Sequence, residues 1–146
     1  MKETVLFICS FNSVRSQIAE GLLRARCDGK YDIFSAGIAP AGINPHTVKV
    51  MQEIGIDISC QRSKCLSTFA GVKFDYVVIL CDKSRLAGAR VIPDGRHVIH
   101  RGFVSPCEIG RPEEAILRDF RLLRDKIGSF LGDIFDTCTK SGSGLP

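Results

Sequence analysis

Cys9 and Arg15 stand five residues apart in Cys9-Ser10-Phe11-Asn12-Ser13-Val14-Arg15-Ser16. The stretch follows the apolar run Val5-Leu6-Phe7-Ile8 and precedes the helix-like Gln17-Ile18-Ala19-Glu20-Gly21-Leu22-Leu23. A thiol and a guanidinium therefore share a turn between a buried strand and a helix start. Unpaired N–H groups converge at a helix N-terminus, and the macrodipole adds positive charge, so such a turn binds anions. Successive N–H groups from Ser10 to Ser16 can form a nest around a tetrahedral oxyanion, and Arg15 can clamp two of its oxygens. The same field lowers the pKa of a cysteine at the loop's start, commonly to ~4–7. The chemistry suggested is attack by the Cys9 thiolate on a phosphate-like anion. A cysteine closing a strand is otherwise an ordinary core side chain. What sets Cys9 apart is the strand before it, the helix after it and the small polar residues between. Ser16 can cap the helix or donate its hydroxyl to the Cys9 sulfur.

The elements that must position this turn alternate along the chain. Val5–Ile8 reads as a buried strand, and the spacing of Ile18, Ala19, Leu22 and Leu23 predicts a helix from Ser16 to about Arg26. Tyr31–Ala36 reads as a second strand closed by Gly37. Asn44-Pro45 is an N-cap followed by proline at the first helical position, opening a helix that turns Val48, Met51 and Ile54 inward. Phe74–Leu80 is apolar nearly throughout, as central parallel strands are, and Val98-Ile99-His100 is a short fourth strand. Pro112-Glu113-Glu114 opens a long amphipathic helix through Ile116, Phe120, Leu123, Ile127, Phe130 and Ile134. Gly128 and Gly132 in it suggest close packing. The pattern predicts a three-layer α/β domain around a parallel sheet, over residues 1–138, with a flexible tail at 139–146. Ligands in such folds bind at the carboxyl ends of strands, where Cys9 and Cys81 both fall.

Composition bounds the function. The 146 residues are 45% apolar and 25% charged, with a net charge of +4, which suits one soluble domain. The basic residues scatter and no aromatic interleaving accompanies them, so no nucleic-acid partner is expected; an anionic substrate fits the mild excess. The apolar runs are too short to span a bilayer, and no signal-peptide pattern opens the chain, which predicts a cytoplasmic protein without a membrane partner. Seven cysteines without an export signal point to reduced, reactive thiols rather than a disulfide framework. No Cys-x2-Cys pair exists, and His46, His97 and His100 do not bracket cysteines at ligand spacing, so neither a metal nor a cofactor is expected.

The motifs together resemble one family. Val5–Cys9 with Asn12-Ser13, Arg15-Ser16-Gln17 and Ala19-Glu20-Gly21 is similar to the phosphate-binding loop of the low-molecular-weight tyrosine phosphatase superfamily, and in particular of its arsenate reductase branch. The likeness continues through Ser35-Ala36-Gly37-Ile38, Asn44-Pro45, Gly55–Ser59, Val77–Cys81, Gly102-Phe103 and Phe120–Ile127. It implies a flavodoxin-like fold with a four-stranded parallel sheet. It also implies that Cys9 attacks arsenate or a phosphoester, that Arg15 and the loop N–H groups bind the oxyanion, and that Asn12, Ser13 and Ser16 brace the loop. By the same resemblance Cys81 resolves the adduct as a disulfide. Thioredoxin, or a glutaredoxin or low-molecular-weight thiol system, then reduces it.

Three departures qualify the likeness. Phe11 stands where the family usually has glycine and Val14 where it often has cysteine; Phe11 either narrows the entrance or supplies an apolar rim. Ser105, before Pro106, occupies the position of the family's aspartate general acid, whose loss typically costs ~10²–10⁴-fold. Glu108 and Asp82 are the nearest substitutes. The cysteine expected a few residues after Cys81 is absent, leaving Cys107 as the candidate extra redox thiol, ahead of Cys60 and Cys65. Lys64 falls where some relatives have an acidic potassium-site residue, and its ammonium is expected to take the cation's place against Glu20. The leading expectation is an arsenate-reductase-like enzyme. The alternatives are a tyrosine phosphatase with an altered acid and an oxyanion-binding protein that has lost the chemistry.

Overall fold

The computed structural model describes residues 2–27, 29–82, 86 and 92–135. Strand β1 (Glu3–Cys9) is followed by helix α1 (Arg15–Arg26), β2 (Tyr31–Gly37), α2 (Pro45–Gln52), a 3-10 turn (Leu66–Phe69), β3 (Lys73–Ile79), β4 (Asp94–His100) and the long helix α3 (Glu113–Ile134). The four strands form one parallel sheet in the order β2-β1-β3-β4. This is the expected four-stranded α/β sheet. Val5, Leu6, Phe7 and Ile8 are fully buried because β1 is paired on both sides, and such a strand must be apolar along its length. At the edge, β4 is mostly exposed, including Val98.

From β1 the chain steps one way to β2 and the other way to β3. The carboxyl ends of β1 and β3 therefore flank the crevice where strand order reverses, the ligand position of open parallel sheets. Cys9 closes β1, and Cys81 lies two residues beyond Ile79. The register pairs Ile8 with Ile79, and the Leu80 N–H donates to the Ile8 carbonyl at 2.8 Å. Both thiols thus arrive at the same end of the two central strands.

The helices depart from expectation in detail. Helix α1 opens at Arg15, one residue early, with Val14 as N-cap and no side-chain cap; Ser16 does not cap it. Asn44 caps α2 by accepting from the His46 N–H at 2.7 Å, with Pro45 at the first position, as expected. That helix ends at Gln52, so its buried residues are Thr47, Val50 and Met51, while Val48 is only partly buried. Ile54 falls in the turn beyond and is 45% exposed. In α3 the residues Ile116, Leu117, Phe120, Leu123, Ile127 and Leu131 are buried, while Phe130 and Ile134 are partly so. Only the first glycine of the GxxxG pair is used. The Gly128 carbonyl accepts from Arg26 Nη1 at 2.7 Å and a Cβ there would lie 2.9 Å from Arg26 Nη2, whereas one at Gly132 would meet nothing. Cys27, the C-cap of α1, is buried and disulfide-bonded, against the expectation of reduced thiols. The expected tail at 139–146 lies outside the described residues.

Gly37 is what lets β2 meet the loop after β1. A Cβ at this position would sit 2.6 Å from the Asn12 nitrogen and 2.8 Å from the Phe11 carbonyl carbon. Backbone cannot swing aside as a flexible side chain can. Gly37→Ala is therefore expected to destabilise the domain by about 1–3 kcal/mol, the usual cost of overpacking, read as a lower urea midpoint at unchanged slope.

Candidate active site

The loop from Cys9 to Ser16 is held by its carbonyls. The Ser10 carbonyl accepts from Ala39 N–H at 2.9 Å, Phe11 from Ala41 N–H at 3.1 Å and Ser13 from Asn44 N–H at 3.2 Å. Gln17 Nε2 donates to the Asn12 carbonyl at 3.0 Å, and the Val14 carbonyl accepts from Ile18 N–H at 2.9 Å. Five consecutive carbonyls are thereby committed to the surrounding fold. Among the described residues, the N–H groups of Phe11, Asn12, Ser13 and Val14 have no hydrogen-bond partner. The first turn of α1 adds further unpaired N–H groups and carries no acidic residue. This is the donor arrangement of an anion nest.

Asn12 shapes the loop. Its φ of 47° is left-handed, a region asparagine tolerates better than most residues. Fully buried, its side chain donates to Ser16 Oγ at 2.8 Å and Ser35 Oγ at 2.9 Å, and accepts from Lys64 N–H at 2.7 Å. Ser16 Oγ lies 2.8 Å from Cys9 Sγ. That oxygen also accepts from Asn12, and either it or the sulfur can supply the proton of the Ser16–Cys9 contact. The sequence had offered capping or this contact for Ser16, and the structure has the contact.

Arg15 is only 9% exposed and forms no ion pair among the described residues. Its Nη1 donates to the Phe103 carbonyl at 2.8 Å, its Nη2 reaches Ser10 Oγ at 3.4 Å, and its Nε has no partner. A buried guanidinium without a countercharge is costly unless an anion completes it. Phe103 was not foreseen in this role, because a backbone carbonyl leaves no trace in the sequence.

Cys81 is fully buried. Burial holds its thiol above the ordinary range; Arg15 and the Ser10 hydroxyl pull it down, and the nearby Cys9 sulfur pushes it up. The Cys81 carbonyl accepts from His100 Nε2 at 2.7 Å, which fixes the residue's backbone. A cavity of about 430 Å³ opens above the loop and is lined by Phe11, Ser13, Val14, Arg15, Asp82, Ser105 and Glu108 among others. Phe11, 46% exposed, is thus a rim rather than a plug. Ser105, at the position where the resemblance expects a general acid, lines the same cavity. Both Glu108 oxygens are engaged, by Asn44 Nδ2 at 3.0 Å and His46 Nδ1 at 2.5 Å. Cys107 is not brought to the site. It is exposed and lines a neighbouring cavity of about 670 Å³ with Arg101, Arg111 and Leu122, on the far side of the 103–106 segment. Cys60 is exposed and Cys65 half-buried.

Lys64 does not pair with Glu20 as expected. The buried Glu20 carboxylate takes Arg24 Nη2 at 2.6 Å and Ser35 Oγ at 2.5 Å, while the Lys64 ammonium donates to the Arg62 carbonyl at 2.6 Å. Burial holds the Lys64 pKa down, with Glu20 acting in the opposite sense.

The sequence matches the low molecular weight phosphotyrosine protein phosphatase family over residues 4–138. The chain belongs to that family. Among similar members, an arsenate reductase of Halalkalibacterium halodurans is 37% identical over 136 residues, covering 93% of this chain and 97% of the relative. Arsenate reductase 1 of Staphylococcus epidermidis is 41% identical over 106 residues, covering 73% and 80%. A solved arsenate reductase in a phosphate-binding state superposes with a TM-score of 0.70 at 26% identity, covering 94% of this chain and 99% of that one. No described helix of this family member is long and apolar enough to cross a membrane.

Asn12→Ala removes a side chain with two buried hydrogen bonds, to Ser16 and Ser35, and a part-buried one from Lys64, and strands groups on Ser35 and Lys64. It is expected to cost about 1–3 kcal/mol, measured by urea unfolding, with weakened oxyanion binding.

Proposed function

We propose that this protein is a thiol-dependent arsenate reductase in which Cys9 is the nucleophile, Arg15 and the loop N–H groups hold the oxyanion, and Cys81 is the resolving thiol. The observation that carries the reading is the buried Cys81 within electrostatic reach of Cys9 and Arg15. Hydrolysis of a phosphoester has no use for a second thiol there. The names of the similar family members point the same way.

The reaction balances with these residues. The Cys9 thiol and dihydrogen arsenate form a Cys9–S–As(V) adduct and release water. The Cys81 sulfur then attacks the Cys9 sulfur. The S–As bond breaks with its electron pair left on arsenic, which becomes As(III), and the Cys81 proton leaves on arsenite. The two thiols are oxidised to a disulfide. An external dithiol, or two molecules of a low-molecular-weight thiol, restores them. Donors already aimed at the anion lower the barrier without reorganisation.

A second reading, phosphomonoester hydrolysis, draws on the exposed Phe11 rim, which would suit an aromatic ester. Against it stands Ser105, which cannot protonate a leaving phenolate. The ratio of p-nitrophenyl to phenyl phosphate turnover tests this, since only the poorer leaving group needs an acid.

Arsenite production should be followed with thioredoxin, glutaredoxin/glutathione and mycothiol systems. Cys81→Ser is expected to abolish multiple turnover while leaving oxyanion binding intact, and sustained arsenate reduction by that variant would overturn the proposal. Cys107→Ser, across the segment from the site, is expected to keep formation of the Cys9–Cys81 disulfide, measured by mass spectrometry after one turnover.

A further inference from the structure

The segment from Gly102 to Arg111 has no regular secondary structure, yet it forms one wall of the oxyanion cavity and carries the carbonyl that Arg15 holds. Its near end is fixed by the Phe103 N–H, which donates to the Leu80 carbonyl at 2.9 Å, and by the buried Phe103 ring. Its far half is tied through Glu108 to the start of α2. Asn44 Nδ2 donates to Glu108 Oε2 at 3.0 Å, and His46 Nδ1 lies 2.5 Å from Glu108 Oε1. The other ring nitrogen, His46 Nε2, lies 3.0 Å and 3.2 Å from the two oxygens of Glu113 in the first turn of α3. Asn44 in turn donates its N–H to the Ser13 carbonyl at the back of the anion loop. One imidazole thus joins α2, α3 and the cavity wall, one residue pair away from the loop.

Both nitrogens face carboxylate oxygens, which only accept. A neutral imidazole has one N–H, so its second nitrogen would place a lone pair against a carboxylate and one tie would be lost. Among the described residues the charged groups facing His46 are Glu108 from the wall and Glu113 from α3, and the Phe120 ring lies 5.3 Å away between centroids. No cation opposes its protonation among these contacts. We infer that His46 is a positioning residue for the oxyanion site, clamping the 103–108 wall through Glu108 as an imidazolium and loosening it when the proton leaves. This rests on the oxyanion site assigned above.

The sign follows from the direction of the shift. Hydrogen bonds from Glu113 and Glu108 raise the His46 pKa above its ordinary 6.5, against a desolvation effect that lowers it. The clamp's stabilisation is therefore fully present below pH about 6.5 and is lost as the pH rises through the raised folded value.

The test uses inorganic sulfate, whose charge does not change in this range, bound to Cys9→Ser protein so that the thiol does not titrate. Sulfate affinity is expected to fall roughly fivefold across the His46 step, which is followed by the NMR shift of the His46 ring protons. His46→Gln should flatten the profile. Glu113→Gln, a change at an exposed residue that leaves the wall contact in place, should move the affinity step and the ring titration to lower pH together. Hydrogen exchange at Val104 to Ile109, corrected for intrinsic rate, should rise with the same midpoint. A sulfate profile that is unchanged in His46→Gln overturns the inference. If the protein binds no oxyanion at any pH, the site assignment itself fails, and the exchange experiment decides the clamp alone: protection that ignores His46 ionisation overturns it.

Discussion

Five loop carbonyls, from Ser10 to Val14, turn away from the loop's centre and accept donors from the surrounding fold. Everything at the site depends on that commitment. A peptide unit whose carbonyl points outward turns its N–H the other way, so the donors the loop offers are a by-product of where its acceptors are tied. The ties come from Ala39, Ala41, Asn44, Gln17 and Ile18, and the side chain of Asn12 closes the set from within. A contiguous stretch of eight residues supplies the groups, but residues far along the chain supply the shape.

Electrostatics reinforce the geometry. Nearby Glu20 is paired with Arg24 and accepts a hydrogen bond from Ser35. Arg15 remains buried without a carboxylate, and its Nε has no hydrogen-bond partner. Any tetrahedral oxyanion that binds here stabilises the whole domain by mass action, because the unfolded chain has no equivalent site.

Much of this was legible in the residues. Cys9 to Ser16 between a strand and a helix, Asn44-Pro45 as a helix start, the apolar centre of β3 and the stripe along α3 all follow local rules of spacing and capping. Other features were not. Val48 and Met51 do face the core from α2, but Ile54 does not, because that helix stops at Gln52, where periodicity alone gives no boundary. The His46–Glu108 contact spans 62 residues of sequence, and the Arg15–Phe103 contact ends on a carbonyl that every residue type carries. Cys107 is the extra thiol the sequence leaves once the expected cysteine after Cys81 is absent, but it lines a cavity other than the one above the loop. Lys64 illustrates a competition invisible in one dimension: Arg24, one helical turn from Glu20, claims the carboxylate first.

A cradle made of peptide N–H groups and one guanidinium reads only charge and tetrahedral shape. Arsenate and phosphate would offer it nearly the same oxygens, so under the proposed reaction the loop itself does not select between them, and phosphate competes with arsenate. Selectivity then has to arise after capture, at the sulfur. A phosphorus adduct on Cys9 presents no centre that a second thiol can reduce, so it reverts or hydrolyses. In the proposed reaction an arsenic adduct is instead drained forward by Cys81. On this account the chain sorts its ligands by what they can become rather than by how tightly they are held.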